Sequence, residues 1–229
     1  LMRSGVNDDL KTDGRARQVI VKYTQFCRYV YRRTSRTWAI GFDTPIGKED
    51  LPYYFEGISY AKALELLDEQ IENIELLIKG TITDVLLSQG EYEALISYIH
   101  TITPNKWRYN NYIRTLIEQR RKRDVAYDLT KRVFKLSWNP YMEKWLNTFD
   151  PQLAERRIAE RELFRDGVVL KNTRPNKDWK KVKDGYLAKR HANTYDRRGY
   201  VFVPFEQDRE QFTEEYNGTE EHGDGSGGD

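Results

Sequence analysis

The stretch Pro104–Trp138, PNKWRYNNYIRTLIEQRRKRDVAYDLTKRVFKLSW, decides how this chain is read. It is the longest segment with a helical look, and it contains the densest positive run, Arg120-Arg121-Lys122-Arg123. At about 100° per residue, Tyr109, Tyr112, Ile113, Leu116 and Ile117 share one side of its first half. The same line, continued, meets Arg120, Arg123, Tyr127, Lys131, Phe134 and Trp138. Val125, Ala126, Leu129, Val133 and Leu136 have by then moved to roughly the opposite side. Two arrangements satisfy this pattern. One continuous helix could leave a core and present a basic-aromatic stripe to a partner. Alternatively, the chain breaks near Arg121, two helices pack separately, and RRKR is a solvated turn.

Working outward toward the N-terminus, Thr103-Pro104 reads as an N-cap followed by proline at the first helical position. Before it, Ser88 can cap a helix over residues 89–102 with Tyr92, Leu95, Ile96, Ile99 and Ile102 on one face. A further helix is expected over 60–79, ended by Gly80. Its seam is Leu64, Leu67, Ile71, Ile74 and Ile78, and Glu65, Asp68, Glu72 and Glu75 line a neighbouring face as a solvated or salt-bridging ladder. Residues 41–58, with three Gly and two Pro, read as a loop. Upstream, 15–33 leans to helix with a short extended piece at Trp38-Ala39-Ile40, and 1–14 reads as a flexible arm.

Toward the C-terminus, Asn139-Pro140 is read as restarting a helix that carries Tyr141, Met142, Trp145, Leu146 and Phe149. Asp150-Pro151 caps another, closed by Gly167, and the mixed charges of AERRIAERE suggest that it is well solvated. The expected fold is mainly α, a bundle of about six helices with a small β element near the C-terminus and disordered termini. In domain terms, a helical domain spans 15–167, a basic segment with short strands 168–205, and an acidic, Gly-rich disordered tail 206–229.

Charge is sharply segregated along the chain: +6 over 1–40, −9 over 41–105, +13 over 106–205 and −8 over 206–229. Such blocks suggest contact with a polyanion or assembly by charge complementarity; the alternative is that they neutralise one another within the fold. Aromatics make up 13% of the chain, including 16 Tyr, which argues against wholesale disorder. In the basic half, aromatic residues interleave with Lys and Arg, a pattern that suits phosphate neutralisation with base stacking. The expected contact residues are Arg120, Arg121, Lys122, Arg123, Tyr127, Lys131, Lys180, Lys181, Arg197, Arg198 and Tyr200. Residues 198–205, RGYVFVPF, resemble the RNP1 strand of RNA-recognition motifs, with Tyr200 and Phe202 at the base-stacking positions. The match departs at Val201, and Pro204 removes a donor that an interior strand needs, so a short edge strand is the favoured reading.

Catalytic and metal signatures are missing. His100, His191 and His222 are scattered, Cys27 is alone, and no phosphate-binding loop, dinucleotide fingerprint or nucleophile elbow occurs. The sequence therefore reads as a non-enzymatic nucleic-acid-associated protein without cofactor. The alternative is a structural subunit of a larger assembly, a virion or phage connector or a ribonucleoprotein scaffold, with protein partners or further copies of itself. No membrane segment is seen, and an intracellular, soluble setting is expected.

Overall fold

The computed structural model describes residues 5–34, 36–109 and 111–169. Over these the chain is mainly α, as expected, with two small β elements. They divide into two units. A helical unit comprises 5–24, 67–134 and 149–169, and a second unit comprises 25–66 and 135–148.

In the helical unit, the N-terminal stretch is tied down. The buried Asn7 side chain donates to the carbonyls of Ile82 and Val85 and accepts from Leu87 N, each at 2.9 Å. Helix α1 (Arg15–Tyr23) follows Gly14, whose φ of 92° needs a glycine. Its free N–H groups are met by a distant carboxylate. Glu93 accepts from Asp13 N at 2.6 Å and Ala16 N at 2.7 Å, and from Thr12 Oγ1 at 3.0 Å. Burial pushes the Glu93 carboxyl above its usual range, against the pull of those donors.

Helix α1 stops ten residues short of the expected end. The run from Cys27 to Thr34 is instead strand β1, antiparallel to β2 (Thr37–Gly41), which pairs in turn with β3 (Thr44–Ile46). The aromatic and β-branched residues Tyr29, Val30, Tyr31 and Thr34 suit a pleated surface, and pairing across the sheet outweighs a marginal helical spacing. A 3-10 helix (Lys48–Tyr54) follows within the expected loop. In the second unit, Phe26, Phe42 and Tyr60 form an aromatic cluster at 5.3 to 5.9 Å between ring centres: Tyr60 meets both phenylalanines edge-on, Phe26 and Phe42 are tilted, and Phe42 is buried.

Helix α2 (Tyr60–Thr81) runs through Gly80 rather than ending before it. Thr81 holds this last turn: its hydroxyl donates to Leu77 O at 2.7 Å and accepts from the buried Trp107 indole at 2.8 Å. Four of the five seam residues, Leu67, Ile71, Ile74 and Ile78, are buried. In the acidic ladder, Asp68 pairs with Arg17 at 2.6 Å and Glu65 with Lys62 at 3.0 Å, while Glu75 accepts from Thr12 N and Tyr92 Oη. Helix α3 (Gln89–Ile102) has the expected Ser88 cap, completed by Glu91 as a reciprocal capping box.

The long central stretch is broken, not continuous. It forms α4 (Pro104–Tyr109), α5 (Tyr112–Glu118), α6 (Lys122–Leu129) and the start of strand β4 (Phe134–Asn139). Asn111 caps α5 through Arg114 N at 3.2 Å, and Arg120 turns the chain with φ of 60°. The break lets Leu116 and Ile117 and then Val125, Ala126 and Leu129 all be buried, which one straight helix could not do with stripes on opposite sides.

A second correction concerns residues 139–149, which form no helix. Strand β4 pairs with β5 (Lys144–Phe149), and Asn139 Oδ1 accepts from Met142 N at 2.9 Å to close the turn, with Glu143 left-handed at φ 48°. Helix α7 (Pro151–Asp166) then starts and stops as expected, with Asp150 accepting from Leu153 N at 3.0 Å and Gly167 left-handed at φ 68°. Most of the segment 168–205 and all of the tail 206–229 lie outside the described residues.

Two glycines separate packing from propensity. A methyl group at Gly90 would sit 2.5 Å from Leu163 O and 2.7 Å from Gly167 Cα, whereas one at Gly80 meets nothing within 4 Å. Gly80→Ala is therefore expected to stabilise by about 0.5–1 kcal/mol through helix propensity alone. Gly90→Ala gains the same propensity but must push α3 from α7, and a net loss of about 1–3 kcal/mol is expected. Denaturant midpoints of the two variants, moving in opposite directions, check this.

Candidate functional site

The residues singled out by charge do not form a free basic stripe. Arg121 pairs with Asp124 at 2.7 Å, and Lys122 bonds Glu91 at 2.7 Å and Leu86 O at 2.9 Å. Arg120 Nη2 lies 3.4 Å from Asp84 O, and Lys131 sits 3.9 Å above the centre of the Tyr127 ring. Arg123 is exposed on α6. Arg120 and Lys122 therefore tie the α5–α6 turn to the acidic segment that precedes it, Lys122 through an ion pair with Glu91 and Arg120 through a carbonyl. Lys180, Lys181, Arg197, Arg198 and Tyr200, with the RNP1-like stretch, lie outside the described residues.

The structure draws attention instead to α7, the helix expected to be solvated. Arg156, Arg157 and Glu160 are each 2% exposed or less. Glu160 Oε1 accepts from Ser97 Oγ at 2.6 Å and Arg156 Nε at 3.1 Å, while its other oxygen meets Arg157 Nη1. Arg156 also donates to Ser97 O at 2.7 Å, to Thr24 Oγ1 at 2.9 Å and to His100 Nδ1 at 3.2 Å. That last bond makes Nδ1 an acceptor and places the proton of a neutral His100 on Nε2. Arg157 donates to Arg132 O at 3.1 Å and lies 4.7 Å over the Tyr98 ring. Two buried guanidiniums share one carboxylate, and neutral hydroxyls, carbonyls and an imidazole take up the remaining donors.

The signal for this network was present in the sequence. The apolar residues of α7, Ala154, Ile158, Ala159, Leu163 and Phe164, surround the helix rather than forming one stripe, and all are buried. A short helix without a polar side must bury what lies between them. Arg156 and Arg157 stand four and three residues before Glu160, the helical spacing at which such pairs meet.

At the edge of this network, Thr24 ends α1. Next to it in the helical unit, burial raises the Glu155 carboxyl above its usual range while Lys22 opposes the shift. In the second unit, Asp43 is the only carboxyl residue between 27 and 46. It sits in the β2–β3 turn at φ 64°, a strained conformation for a residue with a side chain. Its carboxylate meets Tyr31 Oη and pairs with Arg33 at 3.0 Å, bracing the turn against β1. Among the described residues, no cluster of three or more His, Cys, Asp or Glu could hold a metal ion, and no helix is long and apolar enough to cross a membrane.

Glu160 carries the highest cost of removal in this network. Glu160→Gln leaves two buried guanidiniums without a counter-charge, so a loss of about 3–5 kcal/mol is expected. Thermal and denaturant unfolding would measure it, and a loss below about 1 kcal/mol would show that the pairs do not hold the helices.

No protein-family model matches the sequence, and no curated protein does. Solved structures do match in fold. The endolysin of Escherichia coli O157:H7 phage FAHEc1 has a TM-score of 0.53 at 16% identity, over 71% of this chain and 98% of the endolysin. The muramidase domain of SpmX from Asticaccaulis excentricus has a TM-score of 0.54 at 16% identity, over 68% of this chain and 97% of that domain. The fold is thus one found in an endolysin and a muramidase domain. This overturns the expectation of a non-enzymatic nucleic-acid-associated protein, its nucleic-acid partner and the scaffold alternative. The physical reason agrees: much of the RRKR run is spent on contacts within the chain.

Proposed function

We propose that this protein acts on the glycan of bacterial cell walls as a glycoside hydrolase. The observation that carries the reading is the fold shared with an endolysin and a muramidase domain over nearly the whole of both. A glycosidic bond is cleaved by a carboxylic acid that protonates the leaving oxygen and a second carboxylate that supports attack on the sugar carbon. The acid must keep its proton near neutral pH, which burial achieves by raising its pKa. In the helical unit, partial burial raises the Glu155 carboxyl above its usual range, against the opposing pull of Lys22. In the second unit, Asp43 is the carboxylate fixed in place, held by Tyr31 and Arg33. Within the helical unit, Glu155 is the residue we assign to proton donation. Thr24, where α1 ends, offers a hydroxyl, and no carboxyl residue occurs anywhere from 15 to 42.

Purified protein incubated with sacculi is expected to release new reducing ends. Glu155→Gln is expected to lower that rate by about 100-fold or more, with circular dichroism unchanged. Reducing-end assays and mass spectrometry of the released fragments check this. Sacculus binding without any bond cleavage by the unaltered protein would overturn the hydrolytic reading, and an unchanged rate in the variant would overturn the residue assignment.

A further inference from the structure

The segment 15–42 carries seven Lys and Arg residues and no acid. Carboxylates elsewhere neutralise three of them: Arg15 pairs with Asp13, Arg17 with Asp68 and Arg33 with Asp43. Lys22 lies over the Tyr23 ring and close enough to Glu155 to affect its titration. Arg28, Arg32 and Arg36 remain, all exposed and none in an ion pair among the described residues. They lie on one hairpin. Arg28 and Arg32 are on β1, an edge strand of its sheet, and Arg36 is in the turn just before β2. Four residues of strand separate Arg28 from Arg32, roughly 13 Å, and Arg36 extends the row beyond them. Such spacing is too wide for one small anion and suits a polymer with repeated charges. Arg28 is also held 5.4 Å from the centre of the exposed Tyr29 ring, which orients its guanidinium without neutralising it.

We infer that the Arg28–Arg32–Arg36 edge of the β1–β2 hairpin docks the carboxylates of peptidoglycan stem peptides. The inference rests on the cell-wall reading, and names the part of the substrate that the hairpin holds. Planar guanidiniums pair with carboxylates through two parallel hydrogen bonds, as a point-like ammonium does not. Stem peptides present such carboxylates repeatedly along a glycan. Charge complementarity is one-sided here, because the only acid of the sheet, Asp43, is already engaged by Arg33. The edge would thus supply affinity for the wall polymer and leave bond cleavage to other residues.

The test is co-sedimentation of the full chain with intact sacculi over a salt series. The variant Arg28→Gln/Arg32→Gln/Arg36→Gln is expected to bind about tenfold more weakly, since each exposed pair contributes little by itself. Its residual binding should depend less on salt than that of the unaltered protein. Sacculi whose carboxylates have been converted to amides should bind the unaltered protein as weakly as native sacculi bind the triple variant. Equal binding by the triple variant, or equal binding to amidated sacculi, overturns the inference. If binding is lost instead when phosphate polymers are stripped with hydrofluoric acid, or is abolished by competing DNA but not by amidation, the carboxylate assignment is likewise overturned. The Arg28→Lys/Arg32→Lys/Arg36→Lys variant guards against misfolding: it should keep salt dependence while losing part of the affinity. Arginine-dependent binding without released reducing ends would overturn the hydrolytic reading alone, so the two failures are distinguishable.

Discussion

Glu160 has no access to solvent, and the groups it holds have almost none. A carboxylate so placed is stable only if every lone pair is met, and here Ser97, Arg156 and Arg157 meet them. Those same guanidiniums reach outward to Thr24 at the end of α1, to the Ser97 carbonyl and His100 on α3, and to the Arg132 carbonyl after α6. One buried anion therefore fixes the ends of several elements in a single arrangement. The hydrophobic residues around it supply the bulk of the burial, but they could be satisfied by many rotations of α7. The polar network is satisfied by one.

The charge segregation of the chain has two different outcomes. In the α5–α6 turn, Lys122 pairs with Glu91 of the acidic segment, carbonyls of that segment take up Arg120 and Lys122, and Arg121 pairs with Asp124 nearby. On the β1–β2 hairpin, no such compensation exists among the described residues for Arg28, Arg32 and Arg36, although this part of the chain is less densely charged in sequence. Local density of lysine and arginine was therefore a poor guide to available charge. What matters is whether the fold brings a carboxylate within reach, because an exposed cation already paired has little left to offer a ligand.

The likeness in fold to an endolysin and a muramidase domain comes with 16% identity, and no family model recognises the sequence. At that distance a fold persists through burial pattern and polar networks while individual site residues change. A fold can host several chemistries, so the proposal of Glu155 as proton donor stands on its environment rather than on the likeness.

The sequence by itself determined the helices whose ends carry local chemistry. The Ser88 cap, the helix start at Pro104, Asp150-Pro151 and Gly167 all sit where they were read, because such signals act within a few residues of the chain. It also determined the seam of α2 and, as one of two alternatives, the break near Arg121. Only the tertiary structure decided the two β elements, 27–46 and 134–149, since strand pairing depends on partners that periodicity does not reveal. It alone decided that Gly80 lies inside a helix, where the Trp107 indole bonds Thr81 in the last turn. It also buried Arg156, Arg157 and Glu160, which local charge alternation presents as a solvated face. A charge is exposed or buried according to what packs on it, and that partner comes from elsewhere in the chain.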